Sequence, residues 1–241
     1  MVTLNNLTDL FMVFGPHAQE ALDFISDETN QRKFKHVLAT QPKVTESILA
    51  QSDRTDKETK IRIAIDGGTF LTKDEWNAGQ YSKDGVIGIA VITPCVQFIL
   101  GLKEWRAPWS EDIDNCITGK HNESQALQIT CGYEDTKKIV EAQENEDETA
   151  AKLCWNYGYK GLQWYLPCVL ELTAVCAHKE EINELLELVG GDPLSLSYHW
   201  SSTECNSYYS WGVNFYDGYV STNYGNKSYT RVVRPAVAYH P

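Results

Sequence analysis

Basic side chains are scarce: the 241-residue chain carries 21 Lys and Arg against 33 Asp and Glu, a formal net charge of -12. Phosphate contacts need cations spread along a surface, so this balance argues against a nucleic-acid partner. No apolar run is long enough to insert in a bilayer. The longest, Val86 to Leu100, is broken by Gly88, Thr93, Pro94 and Gln97 and reads as buried strands. Met1 to Met12 has no basic n-region and no small-residue cleavage site, so no signal peptide is expected. The seven cysteines (Cys95, Cys116, Cys131, Cys154, Cys168, Cys176, Cys205) contain no C-x-x-C pair, which fits reduced thiols better than a disulfide framework or zinc site. Cytoplasmic synthesis is the simplest account. G-x-S-x-G, H-E-x-x-H, P-loop and EF-hand patterns are missing as well, and the six histidines are dispersed. No catalytic residue, metal ligand or cofactor is therefore assigned.

What is present has a readable order. Ala18 to Leu38 and Val44 to Gln51 look helical, and the polar run Ser52 to Lys60 resembles a linker. This places a boundary near Lys57, with residues 1–57 as a helical adaptor or assembly segment and 58–241 as one domain. In that domain the alternation over Lys60 to Asp66 predicts a strand, Asp66-Gly67-Gly68 a turn, and the β-branched run Val86 to Ile92 a buried strand. Trp105 to Asn122 has loop composition and reads as a long ordered connection. Short helices are expected over Thr136 to Ala142, behind Asp135 as N-cap, and over Glu148 to Tyr157, with the acidic run Glu144 to Glu148 as a solvated face. Pro167 to Ala177 and the stripe Ile182, Leu185, Leu186, Val189 predict a helix pair stopped by Gly190-Gly191 and Pro193.

After Leu196 the composition changes. Tyr198, Tyr208, Tyr209, Tyr216, Tyr219, Tyr224 and Tyr229 are interspersed with Ser, Asn, Thr and Gly, and aliphatic residues nearly vanish. Tyr offers a large amphipathic contact area with few rotatable bonds, and the small polar residues offer adaptable hydrogen bonds, as in antibody loops. Trp211, Val213 and Phe215 alternate with Gly212, Asn214 and Tyr216, which puts the first set on a buried face. Asp217-Gly218 then predicts a two-residue hairpin turn. A rigid frame that holds polar and aromatic residues outward is the pattern of a binding surface.

Trp164-Tyr165-Leu166-Pro167, the helix pair to Gly190-Gly191, Trp200-Ser201-Ser202-Thr203-Glu204, Trp211-x-Val213-x-Phe215-x-x-Gly218 and Val233-Arg234-Pro235 resemble the variable proteins of diversity-generating retroelements. The resemblance covers about Val86 to Val237. It implies an α+β, C-type-lectin-like fold related to formylglycine-generating enzymes, with a hypervariable ligand-binding region at about 198–234. It also implies that the exposed positions are randomised through template adenines, commonly in codons that end in a pyrimidine. Such codons cannot encode Trp, Met, Gln, Glu or Lys. None of these types occurs among Tyr198, His199, Cys205, Asn206, Ser207, Tyr208, Tyr209, Gly212, Asn214, Tyr216, Asp217, Tyr219, Thr222, Asn223, Tyr224, Asn226, Ser228, Tyr229 and Thr230. Trp200, Glu204, Trp211 and Lys227 are of the forbidden types and read mostly as scaffold.

The division of labour follows: Trp200, Trp211, Val213 and Phe215 pack, Arg234 satisfies buried carbonyls or a carboxylate, and the interleaved set faces ligand. Catalysis of the formylglycine-generating kind needs a cysteine pair, and only Cys205 lies in the C-terminal region. The Glu-Pro-Asn, Gln-Pro-Asp and Trp-Asn-Asp runs that hold calcium in sugar-binding C-type lectins do not occur. The expectation is a receptor-binding protein at a phage tail-fibre tip, or alternatively a bacterial cell-surface adhesin or lectin-like protein. Its ligand would be a protein or glycan receptor on a target cell, and some relatives suggest a homotrimer. Ala236 to Pro241 extends past the family's usual stop.

Overall fold

A computed structural model describes residues 59–111, 115–144, 146, 148–222 and 225–238. The chain divides between Glu58 and Thr59, and the described residues all belong to the second unit. The expected helical adaptor at 1–57 lies outside them. In chain order the elements are β1 (Lys60–Ile65), β2 (Thr69–Leu71), α1 (Lys73–Ala78), β3 (Val86–Ile92), β4 (Gln97–Leu100), β5 (Trp105–Ala107), α2 (Glu123–Ala126), α3 (Tyr133–Ala142) and α4 (Ala150–Trp155). There follow α5 (Val169–Ala177), α6 (Lys179–Val189), β6 (Tyr198–Glu204), β7 (Ser210–Asn214), β8 (Val220–Ser221), β9 (Arg231–Val233) and β10 (Ala236–Ala238). The fold is α+β, with two five-stranded sheets ordered β10-β4-β3-β1-β2 and β5-β9-β6-β7-β8.

The first sheet is antiparallel throughout. Its β1–β2 hairpin turns at Asp66-Gly67-Gly68, where Gly67 and Gly68 have φ of 84° and 77°, a region side chains disfavour. Ala90, Ile99 and Val237 align across the register, Ala64 lies two residues along on the same face, and all four meet Trp164. The alternate residues face the other way, where α6 packs on β1 and β3 through its buried Ile182, Leu185, Leu186 and Val189. Gly190, with φ of 82°, ends α6 as the sequence predicts. Helix α5 packs on β6 and β7 of the second sheet, so the helix pair serves both sheets. Every residue from Val169 to Cys176 is consequently buried, where periodicity predicts one buried face.

Several boundaries move for local reasons. Gly132 caps α3 and Asp135 lies in its first turn. A Cβ at Gly132 would stand 2.2 Å from the Leu166 carbonyl, so the chain enters this helix against another segment's backbone. Trp105–Ala107 is strand β5, inside the stretch expected to be a connection. Helix α5 starts at Val169 behind Cys168 as N-cap, two residues after the expected start at Pro167, and the Glu171 carboxylate accepts from the Cys168 N–H at 2.8 Å and the Gly132 N–H at 3.1 Å. The C-terminal Ala236–Ala238 supplies β10, the edge strand of the first sheet.

The two sheets are joined where the chain crosses between them. Between β9 and β10, the buried Arg234 donates to the carbonyls of Gly101 (3.0 Å), Asp192 (2.8 Å) and Pro193 (3.2 Å) and pairs with Glu104 (3.0 Å). Gly101 and Glu104 lie on the β4–β5 crossing, so one guanidinium ties both crossings to the end of α6. This is the carbonyl-and-carboxylate role that the sequence predicts for Arg234.

Candidate functional site

The Tyr-rich segment is built on β6 and β7, which pair antiparallel with Tyr198 opposite Asn214 and Trp200 opposite Gly212. Three indoles pin this frame through single hydrogen bonds: Trp200 to Ala107 O (3.1 Å), Trp109 to Ser201 O (2.8 Å) and Trp211 to His121 O (2.9 Å). Val213 and Phe215 are fully buried, as alternation predicts.

Beneath the frame lies a buried ion pair. Glu204 and Lys227, both 0% exposed, bond directly to each other. The Lys227 ammonium also donates to Asn115 O (3.2 Å) and stands 4.6 Å from the centroid of the Trp109 ring. The second Glu204 oxygen accepts from the Ile117 N–H (2.8 Å), the Thr118 N–H and the Thr118 hydroxyl (2.9 Å). Each charge is thus matched and hydrogen-bonded, the condition under which burying it is tolerable. The pair fastens the 115–118 loop and the 225–227 segment to the end of β6. Lys227 is therefore scaffold.

A second polar cluster supports the start of β6. Glu104 accepts from the Ser195 hydroxyl at 2.6 Å and lies 3.2 Å from His199 Nε2. Burial alone would raise the Glu104 carboxyl, but His199, Arg234 and Ser195 outweigh it and hold the group down at about 2. The His199 ring stacks on Phe215 with centroids 3.7 Å apart.

The exposed residues emerge from turns at the two ends of β7. At one end stand Tyr208 and Tyr209, bridged to the 225–229 segment through Tyr209↔Asn226. At the other stand Tyr216 and Tyr219, on the β7–β8 reversal. Tyr208, Tyr209, Tyr216, Tyr219 and Tyr229 are 51%, 40%, 72%, 41% and 49% exposed. The Asn and Asp residues among them hold the backbone. Asn206 Oδ1 accepts from the N–H groups of Tyr208 (2.9 Å) and Tyr209 (3.0 Å). Asn214 does the same for Tyr216 (3.1 Å), Asp217 for Tyr219 (3.0 Å) and Asn226 for Ser228 (3.1 Å). These are Asx turns, and each fixes a tyrosine, or the residue before one, in place. The amide oxygens are spent on structure, a use that composition does not reveal.

The predicted site residues thus sort into groups. Cys205, Asn206, Ser207, Tyr208, Tyr209, Asn214, Tyr216, Asp217, Tyr219, Thr222, Asn226, Ser228, Tyr229 and Thr230 are exposed or half-buried. Asn223 and Tyr224 lie outside the described residues. Tyr198, His199 and Gly212 are corrections, because the structure turns them inward. Tyr198 packs edge-on against Trp200 at 6.1 Å, and His199 is fully buried. A Cβ at Gly212 would stand 2.4 Å from the His199 carbonyl and from the Tyr198 ring, so glycine is a packing requirement there. The predicted two-residue turn at Asp217-Gly218 is also corrected. The reversal runs from Asn214 to Tyr219, closed by Gly218 N–H to Asn214 O at 2.7 Å and Asn214 N–H to Tyr219 O at 2.9 Å.

Cys205 is not alone, since the Cys116 thiol approaches it from the 115–118 loop. Burial raises both thiols above the ordinary value; the Cys116 thiol raises Cys205 further, and the Glu204 carboxylate raises Cys116. That environment disfavours thiolate. Among the described residues no group of three or more His, Cys, Asp or Glu could hold a metal ion. No helix among them is long and apolar enough to cross a membrane. A concavity of about 500 Å³ opens beside Ser110, Cys116, Lys138 and Glu141, and its lining includes none of the predicted residues.

No family model and no curated protein matches the chain. A solved structure does: a fimbrial protein from Bacteroides ovatus ATCC 8483, at a TM-score of 0.54 and 16% sequence identity. The likeness covers 76% of this chain and 49% of that one, so this chain spans about half of that protein's length. At such identity the likeness is one of fold.

Proposed function

We propose that the protein is a non-enzymatic, surface-displayed binding protein of the adhesin or lectin-like kind, which holds a macromolecular ligand through its turn-borne tyrosines. The observation that carries this reading is the exposure of Tyr208, Tyr209, Tyr216, Tyr219 and Tyr229, 40% to 72%, on turns locked by Asx hydrogen bonds. A backbone fixed before contact and side chains with few rotatable bonds lose little entropy on binding, and exposed aromatic area is a liability in a protein that does not use it. The fimbrial name of the solved structure with a similar fold supports display at a cell surface. The raised Cys116 and Cys205 thiols support the non-enzymatic reading. A C-type-lectin-like identity for the domain is supported by the family motifs, whose Trp200, Trp211, Phe215 and Arg234 all do structural work.

A second reading is that a retroelement diversifies this surface, as in phage tail-fibre tips, with a homotrimer multiplying weak sites through avidity. What favours it is the separation between buried motif residues and exposed interleaved ones. On this reading the variable set loses Tyr198, His199 and Gly212. Sequencing the gene's flanks decides it: a template repeat with adenine-linked mismatches at codons 205–209, 214, 216, 217, 219, 222–224, 226 and 228–230 supports diversification, and no repeat removes it.

The binding reading is tested with labelled full-length chain on whole bacterial and epithelial cells. The expected result is saturable binding that falls in a Tyr208→Ser, Tyr216→Ser, Tyr229→Ser triple variant of unchanged thermal stability. Equal binding by the variant would overturn it.

A further inference from the structure

Building on the binding reading above, we propose that the ligand is an uncharged glycan, held by stacking on the turn-borne tyrosines and by the amide donors of Asn214 and Asn226. Charge is the first reason. From Cys205 to Arg231 the charged residues are Asp217, Lys227 and Arg231, and Lys227 is neutralised inside the frame by Glu204. The segment itself therefore carries one charge of each sign, joined at the Tyr216 turn by Lys179, whose ammonium is taken up by the Phe215 carbonyl at 2.8 Å, on a chain of net charge -12 that repels anions at long range. The Arg231 guanidinium lies 5.1 Å from the centroid of Tyr229 and 6.0 Å from that of Tyr198, held against rings. Lys179 and Arg231 come from different elements and are each already engaged, one by carbonyls and one by rings, which is a poor setting for a sialic acid carboxylate or a sulfate.

The second reason is the kind of apolar surface on offer. Val213, Val220, Val232 and Val233 are all buried, so the aliphatic residues of the segment are withdrawn and the exposed apolar area is aromatic. A protein interface of standard size needs a dry, close-packed centre with large anchors, whereas these rings stand apart on separate turns. A sugar ring offers an apolar C–H face bounded by hydroxyls. Tyr matches it, with a flat apolar face and a hydroxyl at its edge.

The third reason is the direction of the amides. Backbone N–H groups occupy Asn214 Oδ1 at 3.1 Å and Asn226 Oδ1 at 3.1 Å, and Asn226 Oδ1 also accepts from the Ser228 hydroxyl at 2.8 Å. That fixes which end of each amide is oxygen and leaves the Nδ2 hydrogens as donors. Donors of this kind suit hydroxyl oxygens. The two tyrosine groups sit at opposite ends of β7, a strand of five residues and about 13 Å at ordinary rise. Such a separation suits a chain of sugars better than a single small molecule.

The intact chain would be passed over an array of immobilised neutral, sialylated and sulfated glycans, alongside Tyr216→Ala, Tyr229→Ala and Tyr216→Phe. The expected result is retention on neutral glycans that is unchanged between about 0.05 and about 0.5 M NaCl. Each alanine variant should bind about tenfold more weakly, with Tyr216→Phe closer to wild type. Retention confined to sialylated or sulfated glycans and lost at high salt overturns the inference. So does cell binding that survives glycan oxidation but not protease, which points to a protein ligand and leaves the binding reading standing. No binding to any cell or glycan overturns both.

Discussion

Lys227→Met removes one half of the ion pair beneath the Tyr-rich segment while keeping most of the side chain's length. It would leave the Glu204 carboxylate, 0% exposed, with its three donors from Ile117 and Thr118 but without a countercharge. Breaking a buried pair from one side costs about 3–5 kcal/mol. For a domain of this size each kcal/mol lowers the melting temperature by about 2–4 °C, so the drop should be about 6–20 °C. Glu204→Gln alone strands the ammonium, although the Asn115 carbonyl and the Trp109 ring soften that loss. The double variant should recover most of the stability, since replacing both charges by neutral groups is often close to neutral. Thermal unfolding of wild type, both singles and the double at pH 7 closes the cycle. A drop below about 2 °C in Lys227→Met, or a double variant as unstable as the sum of the singles, would refute the buried-pair reasoning.

Other expectations follow from the same geometry. The Glu104 carboxyl, held at about 2 in the folded state, contributes stability that is present above about 4.5 and lost as pH falls toward 2. Glu104→Gln should flatten that acid limb in urea unfolding between about pH 5 and pH 2, and a limb of unchanged steepness would count against it. The Glu171 carboxyl is shifted the other way, pushed up to about 7 by burial against the hydrogen bonds it accepts. Its contribution is full below about 4.5 and lost as pH rises through 7, so Glu171→Gln should flatten a decline between about pH 5 and pH 8, again read from urea midpoints. Gly212→Ala should destabilise by about 1–3 kcal/mol, because its methyl would meet the His199 carbonyl at 2.4 Å; equal stability would show that the strands give way. Tyr216→Ser should change stability by less than about 0.5 kcal/mol, as measured by urea unfolding.

The sequence was most informative where periodicity was long. The α5–α6 pair is legible in its spacing, its stop in Gly190-Gly191 and Pro193, β3 in its β-branched run, and β4 only as part of the apolar stretch Val86 to Leu100. Strand β5 could not be read, since three residues are too few to alternate. His199 and Tyr198 looked like members of the exposed set because β6 is buried along both faces, and alternation carries no signal in a strand covered on both sides. Composition does not separate Gly212 from a loop glycine, glycine being as common in binding loops as in tight strand contacts. Lys227 shows the reach of long-range pairing: its partner lies 23 residues back on β6, and no local pattern links them. The spacing Asn206/Tyr208, Asn214/Tyr216 and Asp217/Tyr219 places an Asx residue two before an exposed aromatic each time, the separation an Asx turn requires.

The most direct test of the division between frame and surface is a saturation scan of residues 198–234 in the full-length chain, displayed on cells and sorted for folded protein without any ligand. The account predicts broad tolerance at Tyr208, Tyr209, Tyr216, Tyr219, Ser228 and Tyr229. It predicts near-exclusive retention of the present residue at Trp200, Glu204, Trp211, Gly212, Phe215, Lys227 and Arg234, with His199 restricted as well. Tolerance at Glu204, Lys227 and Gly212 equal to that at the tyrosines, or intolerance at the tyrosines themselves, would contradict it.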